Sequence, residues 1–468
     1  IFATMKTAII LILISLCCVM GYRETQRRSA DKRLFSSPAV EHLLQDIKKK
    51  IANSTLAEIF ENCFPNTLDT TVYYDKNNND TFVITGDINA MWLRDSTNQV
   101  MPYIRLINDD PELKHMLYGV IKRQAKSILI DTYANAFMRD TNSRSDWAND
   151  NTLMLPGVWE RKYELDSLAA FLKLSSRVYH VAKESAIFTK EWRDAFKAVI
   201  ETINREQQLS DISASPYRFQ RKDYEPVDTM LHQMGTPIKK CGLVRSAFRP
   251  SDDTSTYQFH IPANAMMLTE LQSIAEILLS LNIETDTAQK ALKIAGEIER
   301  AIYKYGVTRD LNGNPIFAYE VDGFGNVLKM DDSNIPSLLS LPYLGFVKKD
   351  DPLYLNTRRF VLSDENPYFF KGSAGEGIGG AHIGINYIWP MSVTMRALTS
   401  TDDQEIIECL RILIKSCSTH KFMHESFHKD NPANFTREWF AWANSLFGEL
   451  IIELANTRPH ILAMVSFG

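Results

Sequence analysis

Apolar residues recur along most of this chain at intervals of three and four, the spacing that lines up one face of an α-helix. From Pro38 onward the pattern is nearly continuous. The stretch Glu41-His-Leu-Leu-Gln-Asp-Ile-Lys-Lys-Lys-Ile51 opens it, and the same spacing predicts helices over 97–107, 114–138, 163–183, 188–206, 264–281, 285–304, 387–398, 402–416 and 437–456. Two segments alternate instead. Thr71-Val-Tyr-Tyr-Asp and Thr81-Phe-Val-Ile84, around the polar Asn77-Asn-Asn-Asp, read as a hairpin. Ile316-Phe-Ala-Tyr-Glu-Val and Asn326-Val-Leu, around Asp322-Gly-Phe-Gly, read as a second. Strands and helices do not alternate at βαβ spacing, which argues against a parallel-sheet fold. About a dozen helices with short inserted hairpins predict an all-α architecture of paired helices around a centre. No linker rich in Pro, Gly or Ser divides the chain after residue 38, so one domain over 38–468 is expected.

With 468 residues, 45% hydrophobic and 23% charged, the chain can bury a large core, and global disorder is excluded. The formal net charge is −5 and no long block of like charge occurs, which argues against a nucleic-acid partner held by a basic face. Met5-Lys6 precedes an apolar run from Ala8 to Met20, too short for a comfortable membrane span. Residues 1–20 therefore read as a signal peptide, with secretion or a periplasmic location expected, or a membrane-anchored form if the leader is kept. No stable membrane insertion is expected after leader removal. Residues 21–37, polar and basic, read as a mobile linker. Beyond Cys17 and Cys18 in the leader, four cysteines remain: Cys63, Cys241, Cys409 and Cys417. On one helix Cys409 and Cys417 would stand about 12 Å apart, beyond disulfide reach. No CxxC or Cys/His cluster suggests zinc, so free buried thiols and no metal site are expected.

Polar and aromatic residues gather between the expected helices. The clusters are Gly86-Asp-Ile-Asn-Ala-Met-Trp-Leu-Arg-Asp95, Asp146-Trp-Ala-Asn-Asp-Asn151, Arg249-Pro-Ser-Asp-Asp253, Gly379-Gly-Ala-His382 with Tyr387-Ile-Trp-Pro390, and His424-Glu-Ser-Phe427 with Arg437-Glu-Trp-Phe-Ala-Trp442. A sugar ring offers apolar C–H faces and a belt of hydroxyls. Aromatic rings pack on the first, while Asp, Asn, Arg and His bind the second. Gly372-Ser-Ala-Gly-Glu-Gly-Ile-Gly-Gly380 lacks the Lys-Ser/Thr of a phosphate loop. Blander readings stand beside these. Met91-Trp92-Leu93 could be core with Arg94-Asp95 a local ion pair, Asp146 could cap a helix, and His382 could be structural. Asp252-Asp253 is one of several Asp pairs, with Asp109-Asp110, Asp331-Asp332, Asp350-Asp351 and Asp402-Asp403.

Together the clusters resemble glycoside hydrolase family 125, the exo-acting α-1,6-mannosidases, over about residues 38–456. The motifs that carry the resemblance are GDINAMWLRDS at 86–96, DWANDNTLMLPGVWERKYELDS at 146–167, FRPSDD at 248–253, MDDSNIPSLLSLPYLG at 330–345, YIWPMS at 387–392, and MHESF with FAWANSLF within 423–447. Gly380-Ala381 before His382 departs from a Ser-Pro-like pair. The resemblance implies an (α/α)6 toroid and single-displacement, inverting hydrolysis without metal or cofactor. It implies α-mannoside substrates, from mannan or high-mannose glycan fragments. It implies Asp252 as general acid, with Asp253 the alternative, and Glu425 as general base. Such an acid must stay protonated, so a raised pKa is expected, with Asp253 as the neighbouring charge. From residue type, Asp87, Arg94, Asp95, Asp146 and Asn149 are expected to hold hydroxyls of a terminal mannose. His382 is expected to join them, and His424 to orient Glu425 or touch sugar. Trp92, Trp147, Trp389 and Trp442 are expected to stack on the rings, Trp442 being the one most open to a core role. A catalytically silent mannose-binding protein on the same scaffold, or a hydrolase of another sugar, are the competing readings.

Overall fold

The computed structural model describes residues 26–222 and 226–466. The signal-peptide reading at 1–20 lies outside the described residues. Helices dominate, and they pair as inner and outer members of a ring, an (α/α)6 toroid. The inner helices Pro390–Thr399, Ala441–Thr457, Leu93–Val100, Leu165–Ala182 and Ile261–Ser280 each pack on the next in that order. Turns at 337–345 lie in the chain after Ile261–Ser280 and before Pro390–Thr399. Their Tyr343 hydroxyl donates to Glu449 at 3.1 Å, and Lys173 Nζ sits 4.9 Å above the Tyr343 ring. That one tyrosine ties the inner helices Ala441–Thr457 and Leu165–Ala182 together.

Burial pattern separates the two layers. Helix Leu165–Ala182 is buried on almost every side, from Leu165 through Ser176. The outer helices Pro111–Ile130, Lys190–Gln207, Thr285–Tyr305 and Asp403–Ser416 bury one stripe and expose the other. Several outer helices begin at a capping side chain. Asp110 accepts from the Leu113 amide at 3.0 Å, Thr189 from Trp192 at 3.2 Å, and Asp402 from Gln404 at 2.9 Å. Between the layers lies a fully buried ion pair, Arg245 with Glu206 at 3.1 Å, satisfied further by Gln258, Ser215 and the Met234 carbonyl.

Short antiparallel sheets sit at one end of the ring, each leading into an inner helix. Met91–Trp92 pairs with Ala136–Phe137, which pairs with Val158–Glu160. Phe259–His260 pairs with Glu320–Val321, and Tyr387–Ile388 with Ser426–His428. The hairpin Val72–Asp75 with Asp80–Val83 forms as the alternation predicts. The second expected hairpin is divided. Pro315–Phe317 pairs backward with Val307–Arg309, and only Glu320–Val321 meets Val327–Leu328, because the chain turns inward at the buried Ala318 and Tyr319. The helix expected over 114–138 stops at Ile130, where Asp131 goes extended and Ala136 joins a sheet. Pro102 converts the end of the 97–107 helix to a tighter 3-10 turn. Residues 387–388 are strand, so that helix starts at Pro390. Helices Ser54–Cys63 and Pro352–Val361 were not expected from periodicity.

Residues 26–37 are not a free linker. Arg27 binds Asp69 and Glu41, and the Leu34 and Phe35 amides donate to the Asp69 and Leu68 carbonyls. The packed body therefore starts before residue 38. Cys63, Cys409 and Cys417 are buried free thiols, and Cys241 is free and half-buried. Among the described residues no helix is long and apolar enough to cross a membrane.

Candidate active site

The sheets place a set of helix N-termini around one cavity of about 320 Å³. Trp92 precedes helix Leu93–Val100, with Arg94 and Asp95 in its first turn. Glu164 precedes helix Leu165–Ala182, with Asp166 in its first turn. Trp389 and Phe440 precede the last two inner helices. Helix N-termini carry partial positive charge and unpaired amides, so buried carboxylates and polar ligands are favoured there.

Of the residues singled out in the sequence, Asp252 and Glu425 both line this cavity, with Trp92, Arg94, Asp95, Asp146, Trp147, His382, Trp389 and Trp442. Five of the seven tryptophans stand in its wall, Trp159 being the one not anticipated. The indole N–H groups of Trp92, Trp159, Trp389 and Trp442 are buried and meet no protein acceptor among the described residues. The same holds for Ser251 Oγ in the wall. Unmet buried donors are rare in protein interiors, and here they belong to residues that line one cavity. Trp442 is buried to 1% exposure, with the Arg94 guanidinium 5.8 Å from its ring, yet still contributes to the cavity. Asp146 caps no helix, since 146–150 is a turn, with Ser145 accepting from the Trp147 amide at 3.0 Å.

Asp87, Asn149, Asp253 and His424 do not line the cavity. Asp87 is exposed at its rim and held by Arg437 Nε at 2.9 Å. Asn149 is exposed and accepts from Arg144 at 3.0 Å. Asp253 lies behind His382, accepting from Nδ1 at 3.1 Å. His424 is buried, stacked on Phe435 at 3.9 Å, and its Nδ1–H donates to the Arg437 carbonyl at 3.1 Å. Burial pushes the His424 imidazole down to about 4, so it is neutral and anchors the backbone rather than meeting a ligand.

Asp252 owes its position to a turn. Its amide donates to the Arg249 carbonyl at 2.9 Å, the Arg249 amide to the Asp253 carbonyl at 2.8 Å, and Arg249 is pinned to buried Glu320 at 2.6 Å. Asp252 itself has φ +65°, a left-handed conformation that costs a non-glycine residue energy and clusters at functional sites. Lys162 Nζ holds the Asp252 carbonyl at 2.7 Å, and Arg94 Nη2 reaches its carboxylate at 2.9 Å.

A buried acidic cluster stands behind it. Arg94 Nη1 bridges Glu164 at 2.5 Å and Asp166 at 3.3 Å. Asn135 Nδ2 touches Glu160 at 3.0 Å, Glu164 at 3.1 Å and Asp252 at 3.4 Å. Arg94 and Asn135 thus each donate to both Glu164 and Asp252, holding the two carboxyls side by side. Burial works to raise both acids. At Asp252 the Arg94 charge, the Glu164 hydrogen bond, Lys162 and His382 outweigh it and hold the carboxyl well below the usual range. Glu164 is pushed well above its usual range by burial, with the Asp252 charge adding to it. The expectation that Asp253 raises Asp252 is therefore reversed: the raised partner is Glu164, because two buried carboxyls in contact cannot both ionise. Asp95 and Asp166 are each raised by burial to about 6.

On the other wall, Arg437 Nη1 donates to Glu425 Oε1 at 3.3 Å, from a left-handed residue with φ +50°. Burial alone would lower the His382 pKa, but the Asp253 hydrogen bond and the charges of Asp253, Glu425 and Asp252 carry it up to about 9. Sequence reasoning missed Arg437, Glu164, Asn135 and Arg221, whose guanidinium stacks 3.6 Å above Trp147. The charge run Glu160-Arg161-Lys162-Tyr163-Glu164-Leu165-Asp166, entering an apolar helix, was the available signal for Glu164. Arg221 stands in a segment with no pattern. Gly380 packs so closely on Asp332 that a Cβ would lie 2.6 Å from its Oδ2, which accounts for glycine where a Ser-like residue was expected.

Over residues 53–452 the chain matches the model of glycoside hydrolase family 125, described as metal-independent alpha-mannosidase. It is 44% identical over 457 residues to the meiotically up-regulated gene 157 protein of Schizosaccharomyces pombe, covering 93% of this chain and 89% of that one. It is similar to a Streptococcus pneumoniae member of a family of metal-independent alpha mannosidases, solved as a non-productive substrate complex with alpha-1,6-mannobiose. That similarity has 38% identity and a TM-score of 0.87, over 91% of this chain and 100% of that chain. A bacterial glucoamylase solved with acarbose shares the fold alone, at 13% identity and a TM-score of 0.53, over 90% of this chain and 58% of that one. An indole-walled cavity at the helix N-termini of an (α/α)6 ring, and a family match across most of the chain, lead to one conclusion: the chain belongs to glycoside hydrolase family 125, the metal-independent alpha-mannosidases.

Proposed function

We propose that this protein is an inverting exo-α-1,6-mannosidase that removes non-reducing terminal mannose from mannan or high-mannose N-glycan fragments. The observation that carries the reading is that Asp252 and Glu425, far apart in the chain, line one cavity walled by tryptophan. The solved relative's complex with alpha-1,6-mannobiose supports the linkage.

Cleavage of a glycoside passes through an oxocarbenium-like transition state and needs a proton on the leaving oxygen and a nucleophile at the anomeric carbon. In this reading Asp252 passes the proton. The C–O bond breaks with its electron pair remaining on the leaving oxygen. Glu425 takes a proton from water as that water bonds to the opposite face of the ring. Cavity position favours Asp252 over Asp253 as the acid, since Asp253 is engaged by His382 behind the wall. Arg437 places its guanidinium 3.3 Å from Glu425 and orients that carboxylate by a charge-assisted hydrogen bond. Trp92, Trp159, Trp389 and Trp442 offer ring faces and N–H donors, with Arg94, Asp95, Asp146 and Trp147 beside them.

The test is NMR of the sugar first released from α-1,6-mannobiose. β-Mannose appearing before mutarotation supports inversion. α-Mannose first overturns the inverting mechanism, and binding without release supports a silent mannose-binding protein. The same assay on α-1,2- and α-1,3-mannobiose tests the linkage.

A further inference from the structure

Glu164 is completely enclosed, so no substrate reaches it, yet Arg94 and Asn135 each donate both to it and to Asp252, the carboxyl that faces the cavity. Its oxygens accept from Arg94 at 2.5 Å, Ser167 Oγ at 2.8 Å and Asn135 at 3.1 Å. Charged groups surround the pair: Arg94 and Asp95 from one helix start, Glu160 from the sheet, Lys162 just after it with its partner Asp228, Asp166 from the second helix, and His382 from the loop across the cavity. Carboxylates outnumber cations in this enclosed space, and two carboxyls in contact require one proton between them.

We propose that Glu164 is a positioning residue that shares a single exchangeable proton with Asp252, storing it in the resting enzyme and supplying it through Asp252 to the leaving oxygen. The inference rests on the reading of Asp252 as acid. The proton balance is simple. In the resting state the pair holds one proton and Glu425 none. As the glycosidic bond breaks, that proton joins the leaving oxygen, and both members of the pair become carboxylates against Arg94, Lys162 and Asn135. Glu425 has meanwhile gained the proton of the attacking water. Return of that proton through solvent to the pair resets the site. Asp252 alone, held ionised by Arg94 and Lys162, would start the reaction without a proton to give.

The test compares leaving groups. In Glu164→Gln the amide keeps a hydrogen bond to Asp252 but brings no transferable proton. Hydrolysis of α-1,6-mannobiose, whose leaving alkoxide needs protonation, should fall by roughly 10²–10⁴-fold, the usual worth of general acid catalysis. Hydrolysis of 2,4-dinitrophenyl α-mannoside, whose phenolate leaves unaided, should fall by less than about tenfold. Ser167→Ala is the milder companion. It removes a donor that favours ionised Glu164, so the alkaline limb of kcat/KM on mannobiose should move to higher pH. Equal losses on both substrates in Glu164→Gln, or an unmoved limb in Ser167→Ala, overturn the proposal and leave Glu164 a structural ion-pair member. Asp252→Asn separates this from failure of the underlying reading. If that variant also treats the two substrates alike, or if wild type releases no mannose from either, the acid assignment itself is wrong.

Discussion

Arg437 joins the rim of the cavity to its wall: Nη1 donates to Glu425 Oε1 at 3.3 Å while Nε grips Asp87 Oδ2 at 2.9 Å. The two contacts differ in worth. Glu425 is buried, and a charge-assisted bond there is little screened. Asp87 is half exposed, and its pairing is weak in water. Replacing Arg437 with Gln should lower kcat/KM on α-1,6-mannobiose by roughly 10- to 100-fold, matching about 1.5–3 kcal/mol for a bond to a charged group. Asp87→Asn should cost less than about tenfold. Steady-state kinetics on the two variants check the ranking, and a larger loss from Asp87→Asn would sink it.

The two cavity carboxylates should be separately indispensable. Glu425→Gln should reduce turnover by about 10²–10⁴-fold while the far-ultraviolet circular dichroism stays that of wild type. A variant retaining more than about a tenth of wild-type turnover would remove Glu425 from the role of base.

His382 should titrate far from an ordinary histidine. With Asp253, Asp252 and Glu425 around it, its imidazolium persists to about pH 9. Its folded value is raised, so its contribution to stability is fully present below about 6.5 and is lost as pH rises through about 9. The urea midpoint of wild type should therefore fall between pH 6.5 and 9 more than that of His382→Asn. In Asp253→Asn the NMR titration of His382 should move toward the ordinary value. An unmoved titration would show that Asp253 is not the partner that matters.

The ion pair between Arg245 and Glu206 is wholly enclosed. Arg245→Met leaves the Glu206 carboxylate with Tyr133 and Ser215 but no cation, and should destabilise the fold by about 3–5 kcal/mol. Equilibrium urea unfolding measures it. A loss under about 1 kcal/mol would mean that the glutamate has taken up a proton instead.

The sequence carried the helices because each outer element has a 3.6-residue stripe of its own, as in Lys190–Gln207 and Thr285–Tyr305. It carried the first hairpin because the Asn-rich turn and flanking alternation are local. It failed at Ile316-Phe-Ala-Tyr-Glu-Val, where one apolar run serves two sheets and the partner strands lie on either side in the chain. It missed Ser54–Cys63, whose buried face is filled out by contacts with the last inner helix rather than by a long repeat. Asp252 and Glu425 were visible as members of motifs. Asp253 and His424 sit in the same motifs, and nothing in residue type told them apart from cavity residues.

What the chain determines by itself is therefore local: helical periodicity, turn chemistry, and the clustering of aromatic and acidic residues at helix starts. What only the tertiary structure decides is direction and company. Of adjacent Asp252 and Asp253, one meets the cavity and the other His382, because a left-handed turn reverses the backbone between them. The charge state of Asp252 follows from Arg94, Lys162 and Glu164, brought from distant segments and largely buried beside it. Electrostatic energy depends on distance and burial, and neither is written along a one-dimensional chain.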